Sequence, residues 1–79
     1  MWKRKVLKYI VVRDGDDAEI VFCGFDHKTG CIIASETSYK DAMLFRNEDR
    51  ANEYAYKLNA RKYGSGGWYA RPYYVWEVN

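Results

Sequence analysis

Apolar residues alternate with polar ones, or run together, in four short stretches of the chain, and a fifth stretch follows a helical period. Val6-Leu7-Lys8-Tyr9-Ile10-Val11-Val12 is β-branched and aromatic and stops at Asp14-Gly15, a dipeptide suited to a tight hairpin turn because both residues tolerate positive φ. Residues 18–25, AEIVFCGF, have the same character and end at Asp26-His27-Lys28-Thr29-Gly30, after which residues 31–35 form a shorter third strand. These three strands predict an antiparallel meander. With a side-chain period of two, Leu7, Tyr9 and Val11 share a face with Ile20, Phe22 and Ile33. The opposite face holds Val6, Ile10, Val12, Val21, Cys23, Phe25 and Ile32, interrupted by Lys8 and Glu19. It is too apolar for a solvent face, which predicts a cover or a partner.

The helical period comes next. Ala51, Tyr54, Ala55 and Leu58 fall at i, i+3, i+4 and i+7, behind Asn47 as N-cap and Glu48 and Asp49 at the positive end of the dipole. Lys57, Arg61 and Lys62 populate the far end, and Gly64 offers a left-handed stop, so the helix is expected over residues 48–63. The connector over residues 36–46 has no clear period, and its apolar end is expected to pack under this helix. After Ser65-Gly66-Gly67, residues 68–78 read as a last strand that Pro72 confines to a sheet edge or a bulge. The expected fold is α+β over residues 1–79: a three-stranded antiparallel meander, one α-helix packed on the sheet, and a C-terminal aromatic strand, in the order βββαβ. One domain is all that 79 residues allow, and its core must be small.

Composition adds the materials of that core. Aromatic residues make up 18% of the chain, and five large rings lie between Trp68 and Trp76. The last strand carries Tyr74, Trp76 and Val78 on one face and Tyr73, Val75 and Glu77 on the other, and a domain this small buries one set. Tyr74 and Trp76 are assigned to the core, leaving Trp68, Tyr69, Arg71 and Tyr73 for the surface. A net charge of +2 is too mild to indicate nucleic acid by itself, but its distribution is uneven. Lys3, Arg4, Lys5, Lys8 and Arg13 precede any acid, and Asp14, Asp16, Asp17, Glu19 and Asp26 follow closely.

The chemistry on offer is thin. His27 is the single histidine and sits in a hairpin turn, and the spacing of Cys23 and Cys31 matches no common zinc pattern. In the meander Cys23 would face Ala34 and Cys31 would face Asp26, so no disulfide is expected. No apolar run suits a signal peptide or a membrane span, and a reducing cytoplasm is the expected compartment. Asp14-Gly15-Asp16-Asp17 lacks the ligand spacing of a calcium loop. Gly64-Ser65-Gly66-Gly67 follows a helix rather than preceding one, which is the wrong pole for a phosphate. These readings predict no enzyme, no metal and no cofactor.

Two binding readings remain. Tyr, Trp and Arg are enriched at interface hot spots, which points to protein recognition by Tyr56, Tyr63, Trp68, Tyr69, Arg71 and Tyr73. Arg50, Lys57 and Arg61 share a helix flank with Lys62 and Arg71 nearby, a strip that could face phosphates while tyrosines stack on bases. Against it, Glu53 is placed to pair with Lys57. The apolar second sheet face also raises a homodimer.

Ala42-Met43-Leu44-Phe45, the capped helix with Ala51, Ala55, Lys57, Leu58 and Asn59, then Gly66-Gly67-Trp68 and a final strand ending Trp76-Glu77-Val78 form a layout. It resembles that of short accessory proteins of bacteriophages infecting Gram-positive bacteria. The resemblance covers about half the chain and its motifs are structural. It implies a hairpin-helix-strand fold and an accessory role on a host protein, of the kind filled by inhibitors of nucleases, restriction systems and CRISPR effectors. It implies no catalytic residue.

Overall fold

The computed structural model describes residues 2–36 and 39–78. Its elements are β1 (Lys3–Asp14), β2 (Glu19–Phe25), β3 (Ile32–Ser35), α1 (Glu48–Ala60), a 3-10 turn (Tyr63–Ser65) and β4 (Tyr69–Val78). The fold is α+β, with one helix on a single antiparallel sheet in the order β3-β2-β1-β4. The expected three-stranded meander is thus part of a four-stranded sheet. β4 pairs with β1 from Val12↔Tyr69 out to Lys3↔Val78, and this ladder extends β1 well beyond its apolar stretch, through lysines that carry no burial signal.

β1 and β2 pair only at their turn, over Val12↔Val21, Arg13↔Ile20 and Asp14↔Glu19. Gly15 is required there by space rather than by φ: a Cβ on it would lie 2.4 Å from the Ala18 carbonyl oxygen. Beyond the turn the strands part, and the end of the connector wedges between them. Tyr9 and Phe45 exchange two backbone hydrogen bonds of 2.9 Å, and the Met43 N–H donates to the Phe22 carbonyl at 3.1 Å. Tyr9 and the Phe22 carbonyl thus find backbone partners in the connector where the two strands no longer pair. The wedge also delivers Phe45 to the core, 4.9 Å from the Tyr54 ring, as the sequence led us to expect. Thr37 and Ser38 of the connector lie outside the described residues.

Two clusters pack on the two sides of the sheet. On the helix side Val11 and Phe22 meet Phe45, Ala51, Ala55, Leu58 and Trp68, with Phe25, Ile32 and Tyr54 at the margin. On the other side Ile10, Val12 and Val21 are covered by Tyr39, Ala42 and Tyr73. The apolar second face that raised self-association is closed at its centre by the chain's own connector. Simple alternation puts Phe25 and Ile32 on that second face. A bulge between Phe22 and Gly24, where Gly24 has φ 124°, shifts the alternation by one residue and returns both to the helix side. For the same reason Phe22, not Cys23, faces Ala34, and Ile33 leaves the core for solvent.

Asn47 caps α1 as expected, its Oδ1 accepting from the Arg50 N–H at 2.9 Å. The helix stops at Ala60 rather than Tyr63, because Lys62, with φ 56°, turns the backbone left-handed before Gly64 does the same. Pro72 stands in β4, which is an edge strand.

Candidate binding surface

The glycine-rich turn folds a tryptophan inward. Gly64, Gly66 and Gly67 all take positive φ, which reverses the chain between α1 and β4. Asn59 then clamps the backbone of Trp68: its Nδ2 donates to the Trp68 carbonyl at 2.9 Å and its Oδ1 accepts the Trp68 N–H at 2.8 Å. The indole N–H donates to the Tyr63 carbonyl at 2.8 Å, and the ring packs edge-on against Phe22. Trp68 is 4% exposed. It is a core residue, not the surface residue expected, and the glycines serve its burial. Tyr63, expected on a helix flank, lies past the helix end and is half-buried near Phe25.

Tyr69, Arg71 and Tyr73 project from the opposite side of the sheet and are engaged there. Arg71 grips Glu19 with two hydrogen bonds, 2.8 and 3.0 Å, and Tyr39 donates to the same carboxylate at 2.6 Å. Tyr73 stacks on Tyr39 with 5.4 Å between centroids, and Tyr69 donates to Asp14. Burial pushes the Glu19 carboxyl up, but the hydrogen bonds from Tyr39 and Arg71 and the Arg71 charge outweigh it and hold the group below the ordinary glutamate value. The Glu19 hydrogen bond in turn raises Arg71. This cluster pins the connector across the second sheet face.

Tyr56, on the helix, is 74% exposed and shares no surface with these three, so the six residues expected to bind a protein do not form one patch. The expected phosphate strip is also divided. Arg50 and Lys57 both sit against the Tyr54 ring, at 5.9 and 5.3 Å, and Arg50 rather than Lys57 pairs with Glu53. Arg61 and Lys62 are exposed where the helix ends, and Arg71 lies on the far side of the sheet, bound to Glu19.

The exposed rings belong to a part of the molecule that the sequence reading placed in the core. From Lys3–Leu7 and Tyr74–Val78 the two strands continue as a ribbon beyond the helix. Cross-strand pairs Lys3↔Val78, Lys5↔Trp76 and Leu7↔Tyr74 put these six residues on the helix side. Tyr74 is 56% exposed and Trp76 66%, and Val78, Leu7 and the adjoining Trp2 are exposed as well. Lys5 Nζ lies 5.4 Å from the Tyr74 ring centre. The reverse side is polar: Glu77 meets Arg4 at 3.6 Å and Lys8 at 3.7 Å, over half-buried Val6 and Val75. The ribbon therefore has one salt-bridged face and one face of uncovered rings flanked by lysines.

Elsewhere the described residues offer little chemistry. A hollow of about 400 Å³ lies between Cys23, Phe25, Asp26, His27, Met43 and Tyr54. Burial raises the Cys23 thiol, which keeps it protonated, and both cysteines are free. Among the described residues no three His, Cys, Asp or Glu side chains are grouped so as to hold a metal ion, and no helix is long and apolar enough to cross a membrane. Compared with known proteins, the chain matches no family model, no curated protein and no solved structure.

Proposed function

We propose that this is a non-catalytic binding protein that docks on another protein through the uncovered face of the β1–β4 ribbon. Its role is to inhibit or redirect that partner by covering part of its surface. One observation carries the reading. Leu7, Tyr74, Trp76 and Val78 are all exposed on one face at one end of the ladder, while tryptophan and tyrosine elsewhere in β4 and the glycine turn are buried or engaged. A contiguous patch of large apolar side chains with a charged rim is the usual mark of a protein interface. The accessory-protein resemblance supports the same role and suggests a host protein as the partner.

The test is co-purification from nuclease-treated host lysate with mass spectrometry of what is retained. Tyr74→Ala with Trp76→Ala is expected to keep the parent melting temperature and to lose the retained protein, whereas Tyr56→Ala keeps it. Retention by the double variant would sink the reading.

Lys3 and Lys5, on the ring face with no acid beside them in that ladder, favour a second reading: single-stranded nucleic acid stacked on Tyr74 and Trp76. It requires affinity that falls steeply with salt. A gel-shift series that shows no binding at low salt removes it.

A further inference from the structure

The orientation of the backbone in β4 extends this reading from a surface to a mode of attachment. Tyr9 gives both its N–H and its carbonyl to Phe45, so both point away from β4. Tyr9 is opposite Pro72, and that pair is therefore one without mutual hydrogen bonds, with the Pro72 backbone atoms turned to the outer edge. By alternation Tyr74, Trp76 and Val78 also turn N–H and carbonyl outward, while Tyr73, Val75 and Glu77 hold the ladder to β1. β4 is the last strand in the sheet order, so those outward groups face no further strand.

The edge is closed at one point and open beyond it. Pro72 has no N–H to offer, and its carbonyl is taken by Arg71 Nη1 at 3.2 Å. Two of the devices that protect an edge from unwanted pairing, a proline and a bonded cation, stop there. Tyr74–Val78 retains its donors and acceptors, and the same residues carry the exposed rings. Around this run stand Lys3, Arg4, Lys5 and Lys8, with Glu77 as the one carboxylate among the described residues. An added strand would lie about 4.8 Å from β4 and about 10 Å from β1, within the reach of these charges. A second copy pairing antiparallel about Trp76 would bring its own four cations alongside, which like-charge repulsion opposes.

We propose that the outer edge of β4 from Tyr74 to Val78 is a strand-addition site for an extended acidic segment of the partner protein. The backbone supplies hydrogen bonds, the rings of Tyr74 and Trp76 take alternate side chains on one face, and the lysines select for carboxylates. This inference rests on the ribbon being the binding surface, and its test separates the two.

The probe is a synthetic peptide alternating Glu and Val, with the Lys–Val peptide as control, followed by Trp fluorescence and by amide hydrogen exchange. The acidic peptide is expected to bind, to slow exchange at Tyr74, Trp76 and Val78, and to be unmatched by the basic one. Trp76→Ala removes the ring and keeps the outward N–H, while Trp76→Pro removes both and leaves the bonds to β1 intact. The proline variant is expected to bind at least tenfold more weakly than the alanine variant. Equal affinities overturn strand addition while leaving recognition by the ring face standing. Should Trp76→Pro fail to fold, judged by circular dichroism, the same comparison is made at Val78, at the strand end. Absence of binding by the acidic peptide, preference for a single-stranded oligonucleotide, or a dimeric mass by light scattering in its absence would each overturn the proposal.

Discussion

The two ends of the β1–β4 ladder both carry large aromatic rings, and the rings meet opposite fates. At the inner end, Tyr9–Val12 against Tyr69–Pro72, the helix and Trp68 cover one side and Tyr39 and Ala42 the other. At the outer end, Lys3–Leu7 against Tyr74–Val78, the rings stay uncovered. Length accounts for the difference. The 13 residues of α1 span about 20 Å, whereas the 12 of β1 reach about 40 Å, so one helix cannot roof the whole ladder. The position of a tryptophan relative to the helix, not its hydrophobicity, decides whether it stabilises the fold or remains available to a partner.

Two tryptophans break that comparison most sharply. Trp68→Ala empties a buried site and orphans the Tyr63 carbonyl and is expected to cost about 3–5 kcal/mol, most of the stability of a domain this small. Trp76→Ala is expected to change stability by no more than about 0.5 kcal/mol. Thermal melts of the two variants check this, and similar melting temperatures would mean that the outer ring is also structural.

A smaller effect concerns what holds the second cover in place. Glu19 is held below its ordinary unfolded value, so between the two values the unfolded chain binds more protons. The stability this supplies is complete above the unfolded value and disappears as pH falls through the folded one. Glu19→Gln is expected to destabilise the protein by the order of 1 kcal/mol at neutral pH and to flatten the acid limb of its stability curve. Urea titrations between neutral pH and pH 3 measure both.

The smallest change sharpens the contrast between closed and open edge. Pro72→Val restores an outward donor and is expected to leave the melting temperature nearly unchanged. At high salt, where the lysines are screened, it is expected to raise the apparent mass by light scattering. An unchanged mass would show that Pro72 does not guard the edge.

The helix and its Asn47 cap were legible because both are local patterns, as were the hairpin strands. The faces of β4 were not. Alternation separates Tyr74 and Trp76 from Tyr73 and Val75, but which set is buried depends on pairing with a strand far away in the chain. A signal was present in β1, where Lys3 and Lys5 share parity with Leu7 and Tyr9, marking one face as polar at its outer end. For Trp68 the glycines on either side of Ser65 announced a chain reversal, yet only the Asn59 clamp shows where the ring goes. The bulge at Gly24 left no mark beyond the glycine itself, and with it the positions of Phe25 and Ile32 were missed.

The pairing of β1 with β4 also sets a timetable. Their partners are separated by most of the chain, from Val12 with Tyr69 to Lys3 with Val78. Closing so long a loop costs entropy that only the finished ladder returns, which slows folding in proteins rich in distant contacts. On a ribosome β1 must emerge first and wait, with one edge bare, until β4 has followed it. The helix and the Trp68 turn are assembled from neighbours and can form in the meantime. The ribbon that carries the exposed rings is thus the last piece of the sheet to be completed.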